Sequence, residues 1–222
     1  MLQAILFDLD GTLADTALDL GGALNTLLCK HNLSERPISE IRPYASHGSV
    51  ALLKFGANIT PEHPDFAQWQ REYLAEYDQC FDHETVLFPE INPLLTELAK
   101  QNIMWGIVTN KPKTFTDRLV PKLGFVVPPA VVVSGDTCAE SKPSALPLFY
   151  ACEQIGVLPE NCFYVGDAQR DIQAGHNAGM KTIFAAWGYI GADDKPETWD
   201  YDFIVHNPLQ ILAILQLFQA AW

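Results

Sequence analysis

The sequence has few basic residues. Its 14 lysines and arginines stand against 27 aspartates and glutamates, and the formal net charge is −13 at pH 7. A surface this acidic repels the phosphates of nucleic acids and the headgroups of anionic membranes. We therefore expect neither nucleic acid nor a membrane as a partner. A phosphate-binding site in this chain needs local positive charge from a metal ion, a lysine or backbone amides.

Paired cysteines are also missing. The five cysteines are odd in number and scattered, and no two of them are spaced as C-x-x-C. This pattern argues against a disulfide framework and fits a reducing compartment. The N-terminal region lacks the basic start of a signal peptide, and the apolar stretch from Pro208 to Trp222 is too short to span a bilayer. We therefore expect a cytoplasmic protein whose last stretch forms a helix docked on the core.

Short apolar runs alternate with amphipathic, helix-like segments along most of the chain. Runs without polar alternation are typical of strands that are covered on both faces, as in a parallel sheet. The runs are Ala4 to Leu9, Met104 to Thr109, Ala130 to Ser134, Cys162 to Val165, Lys181 to Ala185 and Phe203 to Val205. This order predicts a doubly wound α/β fold with a mainly parallel sheet. No G-x-G-x-x-G loop follows a strand-like run, which argues against a nicotinamide-dependent enzyme.

The chain from residue 16 to residue 83 breaks this alternation. Two sets of apolar residues recur there at helical spacing, namely Leu20, Leu24, Leu27 and Leu28, and Phe66, Trp69, Tyr73 and Tyr77. No convincing strand-like run lies among them. We therefore predict an α/β core domain of residues 1–15 and 84–222, with an all-helical domain of residues 16–83 inserted after the first strand.

Two carboxylates, Asp8 and Asp10, stand directly at the end of the first predicted strand. Ligands of open α/β sheets bind beyond the carboxyl ends of the strands, so this position marks both residues as candidates for a site. Gly11 follows and permits a tight turn. The alternative is an acidic turn without a function, because Asp-Gly is also a common turn sequence.

The later predicted strands also end in polar residues, which weakens that alternative. These residues are Thr109 and Asn110 after the second strand, Lys142 after the third, and Asp167 and Asp171 after the fourth. A site with several carboxylates, one lysine and one hydroxyl suits a divalent cation together with a phosphoryl group. Oxygen ligands with few competing nitrogens or thiols favour Mg²⁺.

These motifs, in this order, resemble those of the haloacid dehalogenase superfamily of phosphatases. The resemblance rests on Asp8-Leu9-Asp10-Gly11-Thr12, Thr109-Asn110, Lys142, and Gly166-Asp167 with Asp171. The helical insert resembles the mobile cap of that family, and the spacing resembles its phosphoglycolate phosphatase branch. The stretches Trp105 to Pro112 and Trp187 to Ile190 look closer still to bacterial N-acetylmuramic acid 6-phosphate phosphatases.

The resemblance implies a role for each motif residue. Asp8 would be the nucleophile, and Asp10 would protonate the leaving group and later activate water. Mg²⁺ would be held by Asp8, the backbone carbonyl of Asp10 and Asp167, with Asp171 as a direct or water-mediated partner. The remaining motif residues would bind the phosphoryl oxygens. They are Thr109, the amide of Asn110, and Lys142.

Some residues carry weaker signals. Ala168 stands where relatives often have an acidic or polar residue. Because alanine cannot bind a metal ion through its side chain, Asp171 becomes the more important candidate metal ligand. Asp15 belongs either to the site or, as we favour, to the start of a helix. In the helical insert, we expect at least one of three polar residues to contact the leaving group of the substrate; the alternative is that they form a solvated turn. They are Arg42, His47 and Ser49.

Several functions remain in competition at this stage. The leading one is a phosphomonoesterase for a small soluble ester, either phosphoglycolate or a sugar phosphate such as N-acetylmuramic acid 6-phosphate. A phosphomutase of the β-phosphoglucomutase type would share every core residue. A receiver-like signalling protein or a non-catalytic phospho-ligand binding protein is a further alternative, although a receiver places its aspartate on a later strand. We expect a monomer or a homodimer.

Overall fold

The computed structural model describes residues 2–219. Its strands are β1 (Ala4–Phe7), β2 (Ala14–Asp15), β3 (Val86–Leu87), β4 (Met104–Val108), β5 (Val132–Val133), β6 (Cys162–Gly166), β7 (Lys181–Ala185) and β8 (Phe203–Val205). Its α-helices are α1 (Ala17–Lys30), α2 (Ile38–Ile41), α3 (Gly48–Ala57), α4 (Phe66–Cys80), α5 (Ile91–Lys100), α6 (Lys113–Leu119), α7 (Leu146–Ile155), α8 (Gln169–Asn177) and α9 (Gln210–Gln219). Short 3₁₀ helices span Arg42–His47, Val120–Lys122, Pro159–Asn161 and Pro196–Thr198.

A parallel sheet forms the centre of the fold. Its strand order is β5-β4-β1-β6-β7-β8 within the described residues. The first strand lies in the middle, where Ala4 is paired with Met104 on one side and with Cys162 on the other. All four residues of β1 are buried, as its unbroken apolar sequence predicts. The predicted α/β fold with a mainly parallel sheet is confirmed.

Helices cover both faces of this sheet. Alternate residues of β1 point to opposite faces, so Ile5 and Phe7 join one core cluster while Ala4 and Leu6 join the other. The first cluster includes residues of α5 and α9, and the second includes residues of α7 and α8. The two layers of helices leave the carboxyl ends of the central strands as the edge at which a site is built.

The segment between β2 and β3 contains only helices in the structure. It comprises α1 to α4 and the 3₁₀ helix Arg42–His47, as the periodicity of residues 16–83 predicts. The antiparallel pairing of Ala14 with Leu87 and of Asp15 with Val86 brings the two ends of this helical segment together. The helical segment thus leaves and rejoins the sheet beside the end of β1. Its division from the core as a separate domain stays a prediction.

Element boundaries differ from the predictions where local chemistry intervenes. The predicted strand Ala130 to Ser134 is reduced to Val132–Val133, an edge strand paired on one side with β4. Helix α6 changes to 3₁₀ geometry at Val120, because Pro121 has no backbone N–H to donate. The predicted C-terminal helix is present as α9, and residues 220–222 lie outside the described part. Among residues 2–219, no helix is long and apolar enough to cross a membrane.

Candidate active site

The candidate site lies at the carboxyl edge of β1, as predicted. Asp8 extends the strand by one step, since its N–H donates to the carbonyl of Val165 at 2.9 Å. Gly11 then turns the chain with φ at +82°, a conformation that favours glycine. A Cβ atom at Gly11 would lie 2.2 Å from Oδ2 of Asp167, so glycine is also required by space.

Lys142 is the buried cation of the site. Its Nζ lies 2.9 Å from Oδ1 of Asp8 and 2.8 Å from Oδ1 of Asp171. The ammonium also donates to the carbonyl of Val108 and to the hydroxyl of Tyr164. This set of partners satisfies a fully buried charge, which would otherwise be costly to remove from water. The structure therefore places the predicted lysine in contact with two of the predicted aspartates.

Asn110 fixes the backbone of Lys142. Its carboxamide accepts from the Lys142 N–H at 3.0 Å and donates to the Lys142 carbonyl at 2.9 Å. Because these bonds occupy the side chain, the part of Asn110 available to a ligand is its backbone amide. Thr109 is buried beside it, and its Oγ1 accepts from the N–H of Lys111.

The environment of Asp8 keeps its carboxylate ionised. Burial raises the pKa of Asp8, but the positive charges of Lys142 and Arg170 outweigh burial and leave the pKa below its ordinary value. The Leu9 N–H donates to Oδ1 of Asp8 at 2.7 Å and acts in the same direction. An ionised carboxylate with one face toward a cavity can act as a nucleophile.

Asp167 and Asp171 follow β6 and are fully buried. Asp171 caps α8, since its Oδ2 accepts from the N–H of Ala168 at 3.0 Å. Asp167 accepts hydrogen bonds from both parts of the fold. Its Oδ2 accepts from Oγ of Ser46 at 2.7 Å and from the N–H of Tyr189 at 2.9 Å.

Three of these aspartates form a cluster that suits a metal ion. One carboxylate oxygen each from Asp8, Asp167 and Asp171 lies within 4.8 Å of the others. Burial, followed by the charges of Asp171 and Asp8, raises the pKa of Asp167 to about 7. In the described structure, Oδ1 of Asp171 has no hydrogen-bond partner apart from its ion pair with Lys142. Crowded, incompletely satisfied carboxylate oxygens are the donor set that a hard divalent cation such as Mg²⁺ binds.

Asp10 is held by a residue that the sequence analysis did not single out. The Nζ atom of Lys111 donates to Oδ1 of Asp10 at 3.0 Å and to the hydroxyl of Tyr77 at 2.7 Å. Lys111 directly follows Thr109-Asn110, and this position next to the motif is the feature of the sequence that could have identified it as a site residue. The spacing of Tyr77 predicts only that it belongs to an apolar helical stripe.

Arg170 is, after Lys111, a second cation of the site that the sequence patterns do not mark. Its Nη2 lies 3.6 Å from Oδ2 of Asp8, and its Nη1 lies 3.4 Å from Nδ1 of His47. Burial lowers the pKa of His47, and the neighbouring charge of Arg170 lowers it further. The imidazole is therefore neutral at pH 7 and leaves the positive charge at this point to Arg170.

A cavity of about 420 Å³ opens between the core and the helical segment. The core contributes Asp8, Asp10, Thr109, Asn110, Lys111 and Arg170 to its wall. The helical segment contributes residues from the 3₁₀ helix, α3 and α4, including the predicted His47 and Ser49. Ser49 also accepts a hydrogen bond from Gln70 at 3.0 Å.

Arg42 lies elsewhere. Its Nη1 donates to Oδ1 of Asp15 at 2.9 Å, and its guanidinium stacks 4.9 Å from the ring centroid of Tyr189. The Tyr189 hydroxyl accepts from the N–H groups of Thr16 and Ala17 at the start of α1 and donates to Asp15. These contacts tie the helical segment to the core and do not place Arg42 in the cavity wall. Asp15 ends β2, and its Oδ1 accepts from the N–H of Ala17, the first residue of α1, at 3.4 Å.

Comparisons with known proteins show which family this chain resembles over most of its length. The family profile for haloacid dehalogenase-like hydrolases matches residues 5–185. A phosphoglycolate phosphatase from Xanthomonas campestris is 39% identical over 212 residues, which are 94% of each chain. An N-acetylmuramic acid 6-phosphate phosphatase from Pseudomonas putida is 34% identical over 96% of each chain. The crystal structure of a predicted phosphoglycolate phosphatase from Haemophilus somnus is 26% identical, with a TM-score of 0.84 over 96% of this chain and 98% of that one.

Proposed function

This chain belongs to the haloacid dehalogenase-like hydrolase family, and on that premise we propose that it is a magnesium-dependent phosphomonoesterase. The observation that carries the proposal is the contact of Lys142 with both Asp8 and Asp171 at the carboxyl edge of the sheet. A carboxylate nucleophile, a buried cation and a cluster of oxygen ligands are thereby assembled on one wall of a cavity. Phosphoryl transfer depends mainly on such positioning and charge stabilisation.

Asp8 is the proposed nucleophile. Attack of one carboxylate oxygen on phosphorus breaks the bond to the ester oxygen and forms an aspartyl-phosphate, which divides one difficult displacement into two easier steps. Asp10 gives a proton to the departing alkoxide. It then takes a proton from the water that attacks the aspartyl-phosphate, so inorganic phosphate leaves and Asp8 is restored.

Charge on the phosphoryl group is matched by the residues around it. The Thr109 hydroxyl, the backbone amide of Asn110 and the Lys142 ammonium are the proposed donors to its oxygens. Mg²⁺ would be held by Asp8, Asp167, the carbonyl of Asp10 and, directly or through water, Asp171. When bound, it neutralises negative charge shared by the carboxylates and the phosphate. Arg170, 3.6 Å from Asp8, adds positive charge to the cavity wall.

The substrate that we propose is a small phosphorylated metabolite. The cavity volume of about 420 Å³ is typical of sites for small organic ligands. It leaves room for a leaving group larger than a two-carbon acid, which favours a sugar phosphate such as N-acetylmuramic acid 6-phosphate over phosphoglycolate. The names of the relatives in Pseudomonas putida and Xanthomonas campestris support both substrates as the first to test.

The setting of this activity is also a proposal. We propose a cytoplasmic enzyme, monomeric or homodimeric, that binds neither nucleic acid nor membranes. The net charge of −13 and the five free thiols support this setting.

Phosphate release in the presence of Mg²⁺ tests the proposal. We expect hydrolysis of at least one substrate among phosphoglycolate, N-acetylmuramic acid 6-phosphate and hexose phosphates. Asp8→Asn, at an unchanged melting temperature, should abolish it, whereas the exposed-residue control Asp193→Asn should retain the parental rate. Hydrolysis by Asp8→Asn at the parental rate would refute the proposal. Quantitative recovery of inorganic phosphate separates a phosphatase from a phosphomutase, which returns the phosphate to a sugar.

A further inference from the structure

Lys111 joins the core to the helical segment inside the cavity. Its Nζ lies between Oδ1 of Asp10, which follows β1, and the hydroxyl of Tyr77, which belongs to α4. Only 5% of the Lys111 side chain is exposed. A buried ammonium with hydrogen bonds to two different parts of the fold has a defined position, unlike a surface lysine.

The backbone of Lys111 is fixed as well. Its N–H donates to Oγ1 of Thr109 at 3.1 Å, and its carbonyl accepts from Oγ1 of Thr116 at 3.3 Å. Its carbonyl also accepts from the N–H of Gly135 at 2.9 Å. With both the backbone and the Nζ held, the position of the Lys111 side chain is determined by the core on one end and by Tyr77 on the other.

Tyr77 is an equally rigid partner. It is buried in α4, and its ring packs 4.9 Å from the ring of Phe115 in α6. The Lys111 ammonium also lies 4.8 Å from the centroid of the Tyr77 ring, within range of a cation–π contact. A displacement of α4 would therefore remove both the hydroxyl and the ring from Lys111.

Asp10 depends on this contact for its orientation. In the described part of the chain, Lys111 is the one side chain that donates a hydrogen bond to the Asp10 carboxylate. A carboxylate that transfers protons to and from reacting oxygens must be held in one orientation. Free rotation of Asp10 about its χ angles would move its oxygens away from the leaving group.

We propose that Lys111 is a positioning residue that orients Asp10 for proton transfer, and that it does so only while Tyr77 of α4 lies against it. The inference rests on the proposed phosphatase function and adds a role that couples the helical segment to the chemical step. Lys111 itself transfers no proton and forms no covalent bond. The position of α4 and the orientation of Asp10 are thus coupled through Lys111.

The test compares two phosphate esters of similar size that differ in the basicity of the leaving group. Cyclohexyl phosphate releases an alkoxide that must be protonated, whereas 4-nitrophenyl phosphate releases a weakly basic phenolate that needs no proton. The variants are Lys111→Met, Lys111→Arg and Tyr77→Phe. Lys113→Met is the control, since Lys113 lies two residues away on the surface and pairs with Asp117. Initial rates give kcat and KM separately for each ester, and their ratio kcat/KM reports the step that breaks the ester bond.

We expect Lys111→Met to lower kcat/KM for cyclohexyl phosphate about 100-fold, near the lower end of general acid catalysis. The loss of kcat/KM for 4-nitrophenyl phosphate should be less than about a tenth as large, because its leaving group needs no proton. Tyr77→Phe, which keeps the ring and the packing, should show the same selectivity with a smaller loss. Lys111→Arg should recover part of the activity toward cyclohexyl phosphate.

Two results would overturn the inference. Equal losses on both esters would assign Lys111 to the general stability of the site, and a rise in KM with unchanged kcat would make it a substrate anchor. If Lys111→Met does not fold, the losses that Tyr77→Phe causes on the two esters are compared in the same way. Failure of the parent enzyme to hydrolyse any ester, or activity that survives Asp8→Asn, would instead refute the phosphatase function and the inference with it.

Discussion

Ser46 of the helical segment donates a hydrogen bond of 2.7 Å to Oδ2 of Asp167, which follows β6 in the core. Asp167 belongs to the carboxylate cluster to which we assign Mg²⁺. The hydroxyl of a residue 121 positions away in sequence thus orients a proposed metal ligand. Partners of this kind influence metal affinity, because they fix the direction in which the ligand oxygen points.

Ser46→Ala should therefore weaken magnesium activation. We expect the Mg²⁺ concentration for half-maximal activity to rise about tenfold, as is usual when such a partner is removed. Ser34→Ala, at an exposed position ahead of α2, should leave it unchanged. The measurement is a Mg²⁺ titration of phosphate release at saturating substrate. Identical titration curves for Ser46→Ala and the parent would contradict this assignment.

Asp167→Asn should alter the stability of the metal-free protein in a pH-dependent manner. Burial and the charges of Asp171 and Asp8 raise the pKa of Asp167 to about 7, whereas an aspartate in the unfolded chain has a pKa of about 4. Between about pH 4 and pH 7, the folded chain therefore retains a proton on Asp167 that the unfolded chain releases. Because of this difference, the free energy of unfolding falls as the pH rises through this range.

Thermal unfolding in a metal chelator checks this prediction. Asp167→Asn should raise the melting temperature at about pH 8 and have a smaller effect at about pH 4. It should also lose the gain in melting temperature that excess Mg²⁺ gives the parent. Asp193→Asn serves as the control. A Mg²⁺-dependent gain that persists in Asp167→Asn would exclude Asp167 as a ligand.

Two glycine substitutions should have opposite effects. Gly11→Ala places a Cβ atom 2.2 Å from Oδ2 of Asp167 at a φ of +82°, so we expect loss of activity and a lower melting temperature. Gly22 lies within α1, and a Cβ atom there meets no atom within 4 Å. Gly22→Ala should therefore stabilise the protein by about 0.5–1 kcal/mol through helix propensity. Activity assays and chemical denaturation compare the two, and a stable, active Gly11→Ala variant would be inconsistent with this geometry.

Residues of the helical segment should divide into two classes. Arg42→Ala removes an ion pair with Asp15 that is partly exposed, so the free energy of unfolding should fall by no more than about 1 kcal/mol. Its effect on kcat/KM should be the same factor for every substrate. His47→Ala and Ser49→Ala alter the cavity wall, and they should change the ratios of kcat/KM between phosphoglycolate and sugar phosphates.

The test measures kcat/KM of all three variants on a panel of phosphomonoesters. Ratios that shift in Arg42→Ala and stay constant in His47→Ala and Ser49→Ala would reverse this assignment. In that case the contact of Arg42 with Asp15 would break on substrate binding, and the arginine would contact the leaving group as the sequence pattern suggested.

The core of the site was predictable from sequence because of the geometry of parallel sheets. The carboxyl ends of parallel strands meet at one edge, so residues that follow different strands come together without any knowledge of side-chain packing. Asp8, Lys142, Asp167 and Asp171 were identified in this way, and the structure places them in one cluster or in contact with it.

The remaining residues of the site were not predictable, because their contacts depend on how the helical segment lies over the sheet. Tyr77 belongs to a helical stripe that is mostly packing, and nothing in its spacing marks its hydroxyl as a partner of Lys111. For Arg42 the sequence leaves two alternatives open, contact with the leaving group or a place in a solvated turn. In the structure Arg42 contacts Asp15 of β2, a strand of two residues that is too short to detect from alternation.

The central position of β1 has a consequence for synthesis of the protein. Its neighbours are β4 and β6, so Ala4 leaves the ribosome long before Met104 and Cys162 are available to pair with it. Contacts of such long sequence separation slow folding, because the intervening chain must be ordered before they form. A nascent chain that stops before β6 carries Asp8 without Asp167 and without one of the two strands that hold it in place. The proposed site therefore depends on a strand more than 150 residues after β1, and a chain that ends before β6 lacks part of it.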